Sequence, residues 1–229
     1  MSAGSLLSAL ATPGDRTALP LITETLEAAV RHEQWNTTCS ALQALGAFGP
    51  AAALGTIRAL TAADDAQVRP AAVTALWTVG GDRDEVMPPL HDLLDDDITF
   101  RVSDAADVLG RIGPPAATAL PRIRELMTHH YEWLRVHCAA ALWKIGGEGE
   151  APVVLDALLQ AWAENPATAN HVVGCLDRMG LAAEPALPQL RTQMALPQRG
   201  GGRFASIADA EELQRISRTI IGRFMDRYW

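Results

Sequence analysis

One hexapeptide recurs along this chain: ALATPG at 9–14, ALGAFG at 44–49, ALWTVG at 75–80, VLGRIG at 108–113, ALWKIG at 141–146 and CLDRMG at 175–180. Its closing glycines, Gly14, Gly49, Gly80, Gly113, Gly146 and Gly180, are separated by 35, 31, 33, 33 and 34 residues. Six copies at so even a spacing restrict the chain to a repeat architecture, because a period in the low to mid thirties accommodates one helix–turn–helix unit. Such a unit is held by contacts with its nearest neighbours, so units adjacent in sequence must also be adjacent in space.

The apolar pattern inside each unit is helical. In the third, Val68, Ala72, Ala75, Leu76 and Val79 fall at i, i+4, i+7, i+8 and i+11, one stripe of a helix. The fifth repeats it with Leu134, Cys138, Ala141, Leu142 and Ile145. Alanines on the stripe let two helices approach closely. The pattern predicts helices over 37–48, 68–79, 101–112, 134–145 and 168–179, more than half of all residues helical, and essentially no strand. Gly80 and Gly146 stand where such a helix would close with a left-handed C-cap residue. A second helix follows each glycine, as in PPAATALPRIRELM after Gly113, and Pro88, Pro121 and Pro188 each lie eight residues beyond their glycine. Acidic runs such as Asp64-Asp65 and Asp95-Asp96-Asp97 precede the next helix, where they complement its positive end.

The ends depart from the pattern, as the ends of a repeat stack must if its core is to be covered. Residues 5–12 read as a lone short helix, and LPQRGGGRFA (196–205) as a mobile glycine-rich loop after an array spanning 1–195. A last helix over 206–229 has Ser206 as N-cap and Ile207, Leu213, Ile216, Ile220 and Phe224 as the apolar stripe that caps the final repeat.

Composition narrows the function. Only 5% of residues are aromatic, which argues against a compact β-sandwich. A net charge of −8 opposes a nucleic-acid backbone as main partner, because that interaction needs a basic footprint. The charge is uneven: residues 1–190 carry net −11 and residues 191–229 net +3. Cys39, Cys138 and Cys175 are odd in number and sit in apolar helical runs, so they read as small core residues of a reducing compartment. The N-terminus lacks the basic residue and long apolar stretch of a secretory signal, and no run is long enough to span a membrane. A cytoplasmic protein is the expectation.

The segment DDAQVRPAAVTALWTVG (64–80) carries a D-D-x-x-V-R-x-x-A-A-x-A-L-x-x-[VI]-G core that resembles HEAT repeats, especially the short bacterial kind, and the likeness extends over most of 5–195. The resemblance implies an all-α, right-handed α-solenoid of about six HEAT-like helical hairpins with a C-terminal capping helix. It also implies that the glycine-ending helices line the concave face. Within this chain Arg69 and Arg135 lie eleven residues before their glycine but Arg101 lies twelve before, while Thr38 and Ala169 take that place in the first and last full units, which breaks an Asp–Arg ladder. The family hosts scaffolds, adaptors and a few enzymes, so function must be argued from the solvent-facing residues.

Those residues lie opposite the apolar stripe. Three before each glycine the series reads Gly46, Trp77, Gly110, Trp143 and Asp177; six before it reads Gln43, Thr74, Asp107, Ala140 and Gly174. The margins add Asp104, His137 and His171 (nine before) and Arg111, Lys144 and Arg178 (two before). Trp77 and Trp143 on alternate repeats, about 16–20 Å apart if neighbouring helices pack at about 8–10 Å, would frame a floor for a partner's helix or loop. An exposed Trp is an interface anchor, whereas a ring folded over the glycine of a neighbouring unit is a packing residue. The mixed charges beside them favour a polar peptide. The partner-binding candidates are therefore Trp77, Trp143, Asp104, Asp107, Arg111, His137, Lys144, His171 and Arg178.

The sequence holds no catalytic set: no G-x-S-x-G elbow, no phosphate-binding loop and no evident nucleophile. His129-His130 with His137 lacks the Cys or carboxylate partners of a metal site and reads as a turn. HEAT-like alkylpurine DNA glycosylases place Trp and Asp on a concave face, which makes Trp77, Asp107 and Trp143 the alternative, enzymatic reading, but those enzymes need a basic cleft; phycobilin-lyase-like repeat proteins are similar in repeat alone. The expectation is a non-catalytic protein- or peptide-binding scaffold without metal or cofactor.

Overall fold

The computed structural model describes residues 17–48, 54–63, 65, 68–80, 82–195 and 206–225. Gly14, Gly49, the short helix expected over 5–12 and the loop expected over 196–205 lie outside the described residues. The rest is all-α: helical hairpins joined by short turns, with no strand among the described residues. The chain divides into two compact units, Met1–Val108 and Leu109–Trp229.

The first unit contains α1 (Leu19–Arg31), α2 (Trp35–Phe48), α3 (Leu54–Leu60), α4 (Val68–Thr78), α5 (Arg83–Leu94) and most of α6 (Thr99–Ile112). Here α1 packs on α2, α2 and α3 on α4, and α4 on α5. The stripe read from the sequence is the buried one: Val68, Ala72, Ala75, Leu76 and Val79 are all in the core. Asp65 accepts a hydrogen bond from the Val68 N–H at 3.0 Å and starts α4, and Asp82 caps α5 by accepting from the Asp84 N–H at 3.2 Å. Asp96 accepts from the Ile98 N–H at 2.8 Å and from Arg101 at 2.9 Å, so one carboxylate closes the turn into α6.

The second unit contains the last turn of α6, α7 (Leu120–Leu126), α8 (Glu132–Gly146), α9 (Ala151–Glu164), α10 (Ala169–Met179), α11 (Leu187–Ala195) and α12 (Ile207–Met225). α8 lies between α7 and α9, and α12 packs on α10 and α11. Leu134, Cys138, Ala141, Leu142 and Ile145 are again buried. Ser206 and Asp209 form a reciprocal capping box at the start of α12: the Asp209 N–H donates to the Ser206 hydroxyl and the Ser206 N–H to the Asp209 carboxylate, both at 3.1 Å.

The repeat arginines act locally. Arg69 Nε donates to the Ala63 carbonyl and Arg135 to the His129 carbonyl, each six residues back across its own turn, while Arg101 reaches Asp96. Arg135 alone extends to the following hairpin, pairing with Glu164.

The hairpin turns differ from expectation in three ways. Gly146 does not cap its helix: its φ is −96°, α8 runs through it, and Gly147 takes the positive φ of 67°. Two successive glycines allow the helix one more residue before it breaks. Gly80 has the positive φ expected of it, 91°, but Gly113 and Gly147 are not left-handed α: they pair positive φ with ψ of −146° and −149°, a combination open only to glycine. The chain then enters short 3-10 segments, Pro114–Ala119, Gly147–Glu150 and Gly180–Ala186, before the second helix begins. Pro121 and Pro188 accordingly sit in the first turn of α7 and α11, where no N–H is required. Pro88, by contrast, lies inside α5. On α12 the buried stripe is Ala210, Leu213, Ser217, Ile220 and Phe224; of the residues expected there, Ile216 is half-buried, with Ser217 taking the core place, and Ile207, in the first turn, is 69% exposed.

Candidate functional site

The solvent-facing positions follow from the buried stripe. In the first unit, Trp77 is half-buried on α4, and on α6 Asp104 is exposed and Asp107 half-buried. In the second, Arg111 at the end of α6 is exposed, His137, Trp143 and Lys144 on α8 are half-buried, and His171 and Arg178 on α10 are exposed. Neither tryptophan is fully exposed and neither belongs to the core.

The second unit brings several of these side chains together. The His137 and His171 rings, at equivalent places on α8 and α10, are 6.0 Å apart between centroids. Trp133 meets His171 edge-on at 5.0 Å and an interplanar angle of 82°. Trp133 was not singled out from the sequence because it lies one turn before the positions compared there, at the α8 start; its spacing of four from His137 is the signal that would have found it.

The ends of the same helices carry the basic residues. A Cβ built on Gly110 would stand 3.2 Å from the Ala141 Cα and 3.2 Å from the Lys144 Cδ, so the last turn of α6 touches α8 through a glycine and the Lys144 stem lies over it. The three atoms nearest that added Cβ belong to Ala141 and Lys144. Burial pushes the Cys175 thiol above its usual range against the opposing charges of Arg178 and Lys144. Asp177, beside Arg178 in sequence, is held instead by Arg223 of α12 at 2.7 Å.

His129 and His130 stack with ring centroids 4.2 Å apart, and His129 Nδ1 accepts from the Tyr131 N–H at 3.1 Å. Burial, then the neighbouring His130 and Arg135, holds His129 below the usual histidine range, so the pair shapes the turn before α8.

The first unit contains a groove the sequence did not disclose. About 760 Å³ in volume, it lies at the starts of α2 and α6 and is lined by Glu33, Trp35, Asp65, Ile98, Phe100 and Arg101 among others. Phe100 is 50% exposed beside it. Ile98 and Phe100 directly follow the acidic run at 95–97, and an apolar pair so close to a charged turn was the available hint.

Among the described residues no helix is long and apolar enough to cross a membrane. No curated protein matches the sequence. A family model for HEAT repeats matches residues 22–106, from within α1 to within α6. The hexapeptide, the buried stripe and the hairpin that define this stretch recur after it, at 108–113, 141–146 and 175–180. Over residues 22–106 the chain is therefore similar to HEAT repeats.

Proposed function

We propose that this chain is a non-catalytic scaffold or adaptor that binds another protein or peptide on the solvent-facing side of its glycine-ending helices. Repeat arrays build extended surfaces from equivalent positions of successive units, and HEAT repeats do so with helices. The observation that carries the reading is the row on α8 and α10: His137 and His171, at matching positions, are in ring contact, and Trp133, one turn before His137, meets His171, beside the basic residues at the ends of the same helices. Such a row mixes aromatic and polar groups that are only part-covered, which suits a polar peptide. Within its own unit each of Trp77 and Trp143 supplies a large, part-accessible ring of the kind that anchors interfaces. Within the first unit, Asp104 and Asp107 give the solvent-facing side of α6 an acidic character.

The test is affinity capture from the native host with the wild-type chain and a Trp77→Ala, Trp143→Ala, His171→Ala variant side by side. An identified protein captured by the first and lost from the second, with unchanged helical circular dichroism, supports the scaffold. Equal capture by both removes this face. Salt-sensitive DNA binding with release of free base, in a low-salt gel shift and excision assay, would replace the scaffold with the enzymatic reading.

A further inference from the structure

The second unit repeats one chemical feature that the packing does not explain. Two residues before each closing glycine stand Arg111, Lys144 and Arg178, a cation on three successive glycine-ending helices, and Lys144 is the only lysine in the chain. The equivalent residues earlier in the chain are Ala47 and Thr78, so the basic row begins with the second unit. Five of the seven other arginines described in this unit hold carboxylates: Arg122 with Glu125, Arg124 with Glu150, Arg135 with Glu164, Arg215 with Glu212 and Arg223 with Asp177. Among the described residues no carboxylate is paired with Arg111, Lys144 or Arg178.

Of the acids close by in sequence, Asp107 and Glu148 lie four residues from Arg111 and Lys144, and two others are committed elsewhere. Glu150, whose side chain passes over Gly146, is turned to Arg124, and Asp177 is turned to Arg223. The row is also contiguous. Lys144 covers Gly110, next to Arg111, and α8, which carries Lys144, packs on α10, which carries Arg178. Three cations left without acids on one side of a unit are an electrostatic mould for an anionic chain.

We propose that this row binds an acidic, extended peptide segment that presents a carboxylate at every third residue. The spacing follows from two lengths. Neighbouring helices stand about 8–10 Å apart, so the cations repeat at that interval. A polyproline II segment has three residues per turn and rises about 3.1 Å per residue, so every third side chain returns to the same face after about 9 Å and sets one carboxylate opposite each rung. The occupant deepens the scaffold reading and rests on it. A peptide is favoured over nucleic acid because three cations are a short footprint on a chain of net charge −8, and because the His137–His171–Trp133 row on the same helices offers hydrogen bonds and ring faces to a peptide backbone.

Fluorescence anisotropy with the full chain tests this, using labelled ten-residue peptides that carry three glutamates at every third position or bunched together, and a labelled oligothymidylate of the same charge. The spaced peptide should bind about tenfold more tightly than the bunched one, and its affinity should fall with added salt. Each of Arg111→Gln, Lys144→Gln and Arg178→Gln should weaken it about threefold to tenfold. Because Lys144 is half-buried, a charge exchange guards against misfolding: Lys144→Glu should lose the spaced peptide and regain binding when the central glutamate of the peptide is replaced by lysine. Equal binding of spaced and bunched peptides, or unaltered binding by the triple Gln variant, overturns the proposal. Tighter binding of the oligothymidylate reassigns the row to nucleic acid. A host partner captured as described above whose binding survives the triple Gln variant leaves the scaffold standing and removes only this row.

Discussion

The two compact units are built from the same repeat and differ in what they show to solvent. Residues 1–108 hold six basic and fifteen acidic residues, net −9, whereas residues 109–229 hold thirteen and twelve, net +1. Their cores are interchangeable in kind: Leu76 in the first unit and Leu142 in the second occupy the same place in the hexapeptide and are 1% and 0% exposed. Their surfaces are not. The first unit has an aromatic and acidic groove at the starts of its helices, around Trp35, Phe100, Glu33 and Asp65. The second has a histidine–tryptophan row and a basic row along α8 and α10. Repetition therefore accounts for the fold, and the positions that escape repetition carry whatever distinguishes one partner from another.

The largest effect should come from the shared core. Leu76→Ala and Leu142→Ala each remove a fully buried side chain at matching positions and should cost roughly 2–5 kcal/mol. If the two units open as separate cooperative bodies, hydrogen exchange will show each substitution loosening mainly its own unit. Uniform loosening along the whole chain would merge them into one cooperative body. A melt within a degree of wild type for either variant would mean that the leucine is not where its repeat places it.

Next come the two tryptophans, which sit on opposite sides of the comparison. Full core truncation of Trp costs about 3–5 kcal/mol. Trp77 and Trp143 are half-buried, so each Trp→Ala change should cost about 1–3 kcal/mol, read by chemical denaturation. Quenching by acrylamide should reach both rings partially. A loss confined to one of the two would show that the matching positions are used differently in the two units.

This intermediate burial marks the limit of what the sequence could disclose. The stripe at 68–79 and 134–145 was legible because helix periodicity and burial are coupled, and every residue assigned to it is buried. The contact of His137 with His171 was half-legible: their equal distance from a glycine placed them in one row, but not at ring contact. The glycine geometry was misread at Gly146, since a Gly-Gly pair leaves the choice of breaking residue to the packing around the turn. The 3-10 segments after Gly113, Gly146 and Gly180 were read as part of the following helix, because a short tight turn has no apolar period of its own.

A smaller effect distinguishes the units by acid. Burial alone would raise the Asp96 carboxyl, but the Ile98 N–H and then Arg101 outweigh it and hold it below the usual carboxylate range. A carboxylate depressed in the folded state stabilises above its unfolded pKa and loses that stability as pH falls through the folded one. Asp96→Asn should thus cost about 1–2 kcal/mol at pH 7, a cost that shrinks as pH falls through the folded pKa and the wild-type carboxyl takes up its proton. In the second unit Arg135 and then Gln160 depress Glu164 on the surface, so Glu164→Gln should also flatten the acid limb, by less. Melting curves across pH 2–7 read both; equal flattening would erase this difference between the units.

The smallest effect concerns two glycines of the second unit, and it bears on how its helices meet. Replacing a mid-helix glycine by alanine gains up to about 1 kcal/mol of helix propensity where there is room for the methyl group. At Gly174 the nearest atom to an added Cβ is the Arg178 guanidinium at 3.7 Å, an ordinary contact, so Gly174→Ala should stabilise by about 0.5–1 kcal/mol. At Gly110 the added Cβ would stand 3.2 Å from the Ala141 Cα and the Lys144 Cδ. The lysine stem can swing aside, but the Ala141 backbone belongs to a packed helix and must retreat by a few tenths of an ångström. The strain offsets the propensity gain, and Gly110→Ala should leave the melting temperature within about 2 °C of wild type. Because the methyl group displaces Lys144 from its seat, the same variant should weaken the spaced acidic peptide while Gly174→Ala leaves it bound. A Gly110→Ala protein as stabilised as Gly174→Ala would mean that α8 does not rest on the last turn of α6 as closely as Ala141 and Lys144 indicate, and the contact that joins Arg111 to Lys144 would be lost with it.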